Sequence, residues 1–558
     1  MTTSVSTKVT GKGIFSDPDR RYAVALLLLY LWMALGIFPL YNAFEGDSMR
    51  IAAGAATLSH QGFSIPPLLS YQYGMQPAII YVIAFIHRCF PAMSTYAIYS
   101  LLSALAALAL IPLCVELIHR LARVGRDVAL LAVALLPESY AIATYPNSAI
   151  FAEVMALAAF LAIAKGARWW CYLPWLCVAP LFRIDIIIVY PVVLFLFRQQ
   201  PQTWRRSLLM SVLTGVAVLF FIVGSYWLLQ ANPFTVLSRV DNATSSSGDT
   251  VLLILSIYTF YNVVNLLLAP AGAWLIAKRR DYTLLLTALV PTLLIHYMYR
   301  NNSFAAKHFL YILPFIALMT SQALSALICA RRRRRWLVTA LAVLLALYYV
   351  VSIRFDIPGK PWRNAPTSFS QQALHIPLAE ENSTPYHLRL GIGGGIGVAT
   401  ADELMLLSGG LFYTDYLHRV KSRDAAHASA IHDFFSQTGE KDFALVTVNW
   451  SDIFLYPAML LDEGYQYRQT AKKSFELRKD DRTIRVYCLE TDHDEDRILR
   501  IVKAVKEKEE NKDCPIYICS LADSYLHTLQ QLCGKRLCSE MTHGVYKMSD
   551  IPTETTNQ

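Results

Sequence analysis

The chain has 558 residues, 55% of them hydrophobic and only 16% charged, with a mean hydropathy of +0.37. That balance excludes an ordinary soluble protein, in which about half the residues are apolar and about a quarter charged. The net charge of +9 does not point to nucleic acid, because much of the Lys and Arg stands in short clusters between apolar runs, the pattern that encodes membrane topology.

The apolar residues fill 22–353 and the rest reads as soluble, so two domains are expected: 1–353 in the membrane and 354–558 in water. A span needs roughly 20 apolar residues. In chain order the candidate spans are 22–41, 96–118, 127–143, 148–165, 170–182, 184–197, 207–229, 252–277, 282–299, 308–329 and 336–353, about 11 in all. The first has no small-residue cleavage site after it and reads as an uncleaved anchor. The short pair at 170–197 reads as two broken helices meeting inside the protein, which is tolerated where they line a cavity. Residues 76–89 are apolar but too short to span, and are expected to lie in the membrane interface within the first outer loop, 42–95.

Positive charge orders these spans. Arg20 and Arg21, the run His119–Arg126, Lys165 with Arg168, Arg198 with Arg205 and Arg206, Lys278–Arg280 and Arg331–Arg335 all fall on one side if the N-terminus is cytoplasmic. The C-terminal domain is then extracytoplasmic. On the outer face this leaves Asp47 in loop 42–95, Pro146 and Asn147, Arg183 and Asp185 at the 182–184 break, Arg239 and Asp241, and Arg300, Lys307 and His308. Charged groups at membrane depth are costly unless solvated, paired or used.

The tail is expected to form a small α/β domain: a buried strand at 443–448, paired strands over 465–489 and a charged helix at 494–509. The glycine run Gly391–Gly397 resembles a phosphate loop, but outside the cell a flexible turn is the simpler reading. Cys514, Cys519, Cys533 and Cys538 make two C-x4-C pairs, read as a disulfide or packing before zinc. The cysteines of the membrane half read as small apolar residues.

These groups suit transfer of a sugar from a lipid phosphate. A carboxylate base would take the acceptor proton, the anomeric carbon would gain oxocarbenium character, and cations would hold the departing phosphate. Asp47 fits the base; Arg183, Lys307 and His308 fit the phosphate, with Arg300 in reserve. Glu45, Tyr73, Gln76, Asn147 and Asp185 are read as substrate-binding. Displacement through one carboxylate inverts the anomeric centre.

The run Gly46–Ala52, then Gly62, Pro66 and Pro67, then Tyr71–Pro77, resembles the first outer loop of the GT-C glycosyltransferases, above all the lipid A aminoarabinose transferases and protein O-mannosyltransferases. Leu136–Asn147 resembles their second outer loop, Leu181–Arg183 their cationic position, and Lys307–Pro314 their late basic motif before a Tyr-x-Leu-Pro span. The resemblance implies a polytopic GT-C-like helical membrane domain, Asp47 as the catalytic carboxylate, and a polyprenyl-phosphate-linked sugar as donor. The partners expected are that donor, membrane lipids and an acceptor that is a protein, lipid or glycan, with no nucleic acid; the membrane expected is a bacterial inner membrane. Three positions depart from the pattern. Ser48 replaces the second acid of the family's Asp-Glu pair, Asn147 stands where Asp is common, and Gln76 replaces a Lys. With few clustered acids no tightly held metal is expected, although two carboxylates and an amide could hold a divalent ion. The competing function is a transporter or flippase of lipid-linked saccharides, which would place polar groups along a path through the bilayer and show internal repeats.

Overall fold

The structure, a computed structural model, describes residues 17–34, 46–61, 76–136, 146–229, 250–298, 306–329, 351–356, 374–377, 387–392, 403–407, 429–447, 455–471, 474–488, 495–519, 523–542 and 544–549, with Asp47, Lys307 and His308 described by backbone alone. The described part of 1–353 is almost wholly helical. Helix α1 spans Pro18–Trp32, α2 Gly46–Gln61, α3 Pro77–Cys89, α4 Thr95–Ala122, α5 Arg126–Ala134 and α6 Ser148–Ala164. Then come α7, Trp169–Phe182, a 3-10 turn at Ile184–Val189, and α8, Val192–Arg198; the expected interruption within 170–197 is therefore a 3-10 segment between two helices. Helix α9 spans Trp204–Leu228, α10 Thr250–Lys278 and α11 Tyr282–Met298; a second 3-10 turn, Ala306–Ile312, leads into α12, Leu313–Cys329.

Among the described residues three helical stretches are long and apolar enough to cross a membrane: Thr95–Ala122, Trp204–Leu228 and Phe309–Cys329. Helix α9 shows what lipid contact requires, with Leu219, Phe220 and Trp227 turned outward from the bundle. Helix α3 is amphipathic, as an interfacial helix must be. Ile79, Ile80, Ile83 and Ala84 pack inward while Phe85 is 69% exposed.

One end of the bundle is tied by arginines. Arg21 pairs with Asp127 at 2.8 Å, and Arg126 with both Glu116 at 3.0 Å and Asp19 at 3.2 Å. Arg120 donates to the Ala164 carbonyl, while Arg279 holds Gln322, whose amide reaches the Ala122 carbonyl. Members of three of the basic clusters thus gather where α1 and α5 start and where α4, α6 and α10 end. The side chains satisfy carbonyls left open at helix C-termini and oppose the helix dipoles.

Helices α10 and α12 cross with almost no space between their backbones. A Cβ on Gly272 would sit 1.8 Å from the Met319 carbonyl oxygen, so only glycine permits the approach. Nearby, Asn265 donates to the Leu135 carbonyl at 2.7 Å and accepts from Thr320 at 2.8 Å, locking α5, α10 and α12 together. Gly272→Leu is expected to separate the two helices and abolish the folded monodisperse protein in detergent; thermal unfolding followed by size-exclusion chromatography checks this, with a costly overpacking of the core as the cause.

The sheet region begins earlier than the apolar pattern suggests. The expected last span, 336–353, ends in strand β1, Val351–Asp356, so Val351, Ser352 and Ile353 belong to a sheet; residues 336–350 lie outside the described residues. With β2 (Leu374–Pro377), β3 (His387–Ile392) and β4 (Glu403–Leu407), it forms an antiparallel sheet of order β2-β3-β1-β4. Gly391 and Ile392 end β3, and the rest of the glycine run lies outside the described residues.

A second sheet has order β10-β11-β9-β5-β8-β7-β6. Its strands are β5 Asp442–Thr447, β6 Gln466–Ala471, β7 Ser474–Lys479, β8 Arg482–Cys488, β9 Ile516–Cys519, β10 Cys538–Thr542 and β11 Val545–Met548. Central β5 runs parallel to β8 and β9, and the other pairings are antiparallel. Helix α13 covers 429–437, α14 Leu455–Asp462, α15 Glu495–Lys506 and α16 Asp523–Gly534. On one face Ala444, Val446 and Ile518 pack with Ile498, Val502, Leu529 and Leu532 of α15 and α16. On the other, Phe443, Leu445 and Val486 pack with Phe435 of α13 and Leu460 of α14. The expected strands and charged helix are all present. Cys533 and Cys538 bring their thiols to 2.7 Å across the turn between α16 and β10, whereas Cys514 donates to the Glu510 carbonyl.

The two halves meet at α2, which contributes one face to each of two cores. Ile51, Ala55 and Leu58 face the membrane half, while Met49, Ala52, Ala53 and Ala56 belong to the core of the second sheet. Alanines at 52, 53, 55 and 56 let α2 be approached closely from both sides, which a helix with bulky residues there would prevent.

Candidate active site at the end of the bundle opposite the arginine ties

The end opposite the arginine ties collects several of the polar residues read from the sequence, among them Asn147, Arg183 and Asp185. Helix α4 orients the molecule. Its last turn, with His119 and Arg120, lies among those ties, and its first residue, Thr95, touches the C-terminal domain through Asp462. Helix α2 packs on α14, the helix that carries Asp462, at this same end, and Asp47 is its second residue.

The hydroxyl of Ser48, next to Asp47, donates to the carbonyl of Pro146. Positions 47 and 147 are thereby neighbours: the segments read as the first and second outer loops meet. Asn147 caps α6, its Oδ1 accepting from the Ala149 amide at 2.9 Å, while its Nδ2 is buried with no partner among the described residues. Gln76, before α3, likewise keeps a buried Oε1 with no partner among the described residues. Buried amide groups left open in this way carry a cost that a bound hydroxyl would relieve, by accepting from Asn147 Nδ2 or donating to Gln76 Oε1.

A second cluster lies one helical turn along. Phe151 of α6 stacks on Phe182 at 5.6 Å between ring centres and on Tyr99 of α4 at 6.2 Å. Immediately after Phe182, α7 ends at Arg183 in extended conformation, because Arg183 starts the 3-10 turn. Arg183 Nε donates to both carboxylate oxygens of Asp185, at 3.1 and 2.9 Å. Tyr311 Oη donates to the same carboxylate at 2.7 Å. The side chains of Arg183 and Asp185 are 11% and 6% exposed. Asp185 thus acts as counter-ion to Arg183 and fixes where the guanidinium points.

Tyr311 ties in the late basic motif, since Lys307, His308 and Tyr311 share the 3-10 turn Ala306–Ile312. In a 3-10 helix positions three apart eclipse, so position 308 is in register with Tyr311. Arg183, Asp185, position 307 and position 308 are therefore brought together on adjoining 3-10 turns. Glu45, Tyr73 and Arg300 lie outside the described residues.

Sequence reasoning passed over two contributors. Tyr311 was visible only as part of a motif; its role depends on the 3-10 form of the segment, which puts it three residues, one turn, from His308. Arg50 was visible as a charge in an alanine-rich run. It is 2% exposed and lies three residues from Asp47, the spacing at which helical side chains adjoin. Among the described residues no group of three acidic, His or Cys side chains is placed to hold a metal ion.

The chain is similar to the crystal structure of ArnT from Cupriavidus metallidurans bound to undecaprenyl phosphate. The TM-score is 0.56 at 13% identity, covering 96% of this chain and 99% of that one. The apo structure of the same protein gives the same score and identity and is covered in full. ArnT is a lipid A aminoarabinose transferase of the GT-C class, and the present chain shares the fold of that structure. No protein-family model and no curated protein sequence matches the chain.

Proposed function

We propose that the protein is an inverting glycosyltransferase that moves a sugar from a polyprenyl-phosphate carrier to a hydroxyl of a protein, lipid or glycan acceptor on the extracytoplasmic face of a bacterial inner membrane. Asp47 is the general base that takes the acceptor proton. Arg183, held by Asp185 and Tyr311, receives the departing lipid phosphate with Lys307 and His308; Arg300 is the reserve cation. Asn147, Gln76, Glu45 and Tyr73 contact the sugar or the acceptor. The N-terminus and the arginine ties lie in the cytoplasm, and 354–558 lies outside with the site.

One observation carries this reading: the loop bearing Asp47 meets the second outer loop at Ser48 and Pro146, at the same end as the buried Arg183–Asp185–Tyr311 cluster. A base and an anion site on one face serve transfer there, whereas a transporter needs polar groups along its path. Mass spectrometry of the purified protein is expected to find a co-purifying isoprenoid phosphate. In sealed vesicles, label from a radiolabelled lipid-linked sugar is expected to appear in a new glycosidic bond. Label that crosses the bilayer with its original bond intact would overturn the proposal in favour of a flippase.

A further inference from the structure

Asp462, the last residue of α14, makes a contact between distant parts of the chain that the proposed chemistry does not use directly. Its carboxylate crosses from the C-terminal domain to the first residue of α4. It accepts from the Thr95 hydroxyl at 2.6 Å and from the Thr95 amide at 3.3 and 3.2 Å. That amide is one of the donors a helix leaves open at its N-terminus, where the dipole also favours a negative group. Helix α4 already has its own cap, Ser94 accepting from the Ala97 amide at 3.1 Å, so Asp462 supplies a second cap from another domain.

The contact closes a clamp around α2. Helix α14 packs directly on α2, and so does α3 from the other side. Arg88 of α3 donates to the Ser59 and Leu58 carbonyls at 3.0 and 3.3 Å, capping the end of α2. His60, on the last turn of α2, lies against the Asp462 backbone carbonyl and 5.5 Å from the ring of His87. The charged groups around Asp462 are therefore His60 on α2, His87 and Arg88 on α3, Glu463 beside it, Lys479 on β7, which donates to the Glu463 carbonyl, and His432 on α13, which pairs with Glu463.

We infer that Asp462 is a positioning residue for Asp47: by capping α4 it seats the C-terminal domain on α2 and fixes the helix on which Asp47 stands. The inference rests on Asp47 being the base of the proposed reaction. Burial supports a proton linkage at this contact. It raises the Asp462 carboxyl to about 6, against the lowering effect of the Thr95 bonds. A raised carboxyl means that the seated state binds a proton more tightly than the open state. Seating from Asp462 is then strongest below about pH 4 and weakens as pH rises toward 6. His60, lowered by burial and by His87, opposes seating as pH falls below its ordinary range.

The test compares Asp462→Ala, Asp462→Asn and Thr95→Val in the full-length protein, each first confirmed as folded by thermal unfolding in detergent. Asp462→Ala is expected to lower kcat by roughly 10- to 100-fold, the penalty of about 1 Å of misplacement, with the KM for the lipid-linked donor little changed because Arg183 and the 306–312 turn are untouched. Asp462→Asn keeps an oxygen for Thr95 and is expected to restore kcat while removing the inflection near pH 6 from the kcat profile. Thr95→Val is expected to fall between them. Hydrogen exchange over 46–61 is read in parallel and is expected to quicken in Asp462→Ala alone among the Asp462 variants. Unchanged exchange, or unchanged kcat in a background where Asp47→Asn is inactive, overturns the inference. If Asp47→Asn turns over normally while exchange quickens, the assignment of Asp47 as base has failed and the clamp has not.

Discussion

Asp47→Asn is expected to leave the protein folded and inserted but to cut transfer to a hydroxyl acceptor by about 10²–10⁴-fold, the range over which a positioned general base acts. At 1.36 kcal/mol per tenfold that is about 3–5 kcal/mol of barrier. The substitution preserves side-chain shape and removes only the charge and the proton-accepting capacity. Neighbouring Ser48 still reaches the Pro146 carbonyl, and the alanine faces of α2 still fill both cores. Initial rates with a radiolabelled lipid-linked sugar, together with the anomeric configuration of the product, check this. A wild-type rate with a hydroxyl acceptor would remove Asp47 from the mechanism. Where the nucleophile is already a phosphate anion no base is needed, and inversion at the anomeric carbon is then the decisive readout.

Arg183→Gln is expected to damage both binding and stability, and the two effects can be separated. Removing the guanidinium leaves the buried Asp185 carboxylate with Tyr311 but without its cation. Breaking such a pair from one side costs about 3–5 kcal/mol. The double variant Arg183→Gln with Asp185→Asn is expected to recover most of the thermal stability, because no uncompensated charge remains. It is not expected to recover retention of the isoprenoid phosphate or transfer, since the cation for the departing phosphate is still missing. Arg183→Lys is expected to fail as well, because an ammonium lacks the planar donors that set the guanidinium against Asp185. Thermal unfolding and lipid mass spectrometry on the same three preparations decide it. If the double variant retains the lipid phosphate as the wild type does, Arg183 is structural only.

What the sequence made legible follows from how far apart the cause and the effect lie. Strand β5, the β6–β8 run and helix α15 are written in local periodicity, and each appears where that periodicity put it. The break after Phe182 was legible because two charges, Arg183 and Asp185, interrupt an apolar run. The end of the last expected span was not. Val351-Ser352-Ile353 is as apolar as the stretch before it, and only hydrogen bonding to β3 and β4 makes it strand. Nor was the partnership of Asp185 with Tyr311, 126 residues apart, or of Thr95 with Asp462. An acid at the end of an ordinary soluble helix looks the same whether it faces water or caps another domain. Motif order put Asp47, Asn147, Arg183 and Lys307 on one expected face and Asp185 beside Arg183, but the Tyr311 hydroxyl that holds Asp185 had to be found in space.

The division of α2 between two cores has a bearing on how the molecule is made. Thr95 and Asp462 are separated by 367 residues, which a ribosome working at about 5–20 residues per second needs roughly 20 to 70 s to add. Throughout that interval the alanine face of α2 is exposed on the nascent chain. The membrane half must hold the helix on its own side alone, and the last stretch of translation delivers the cover under which the site becomes rigid.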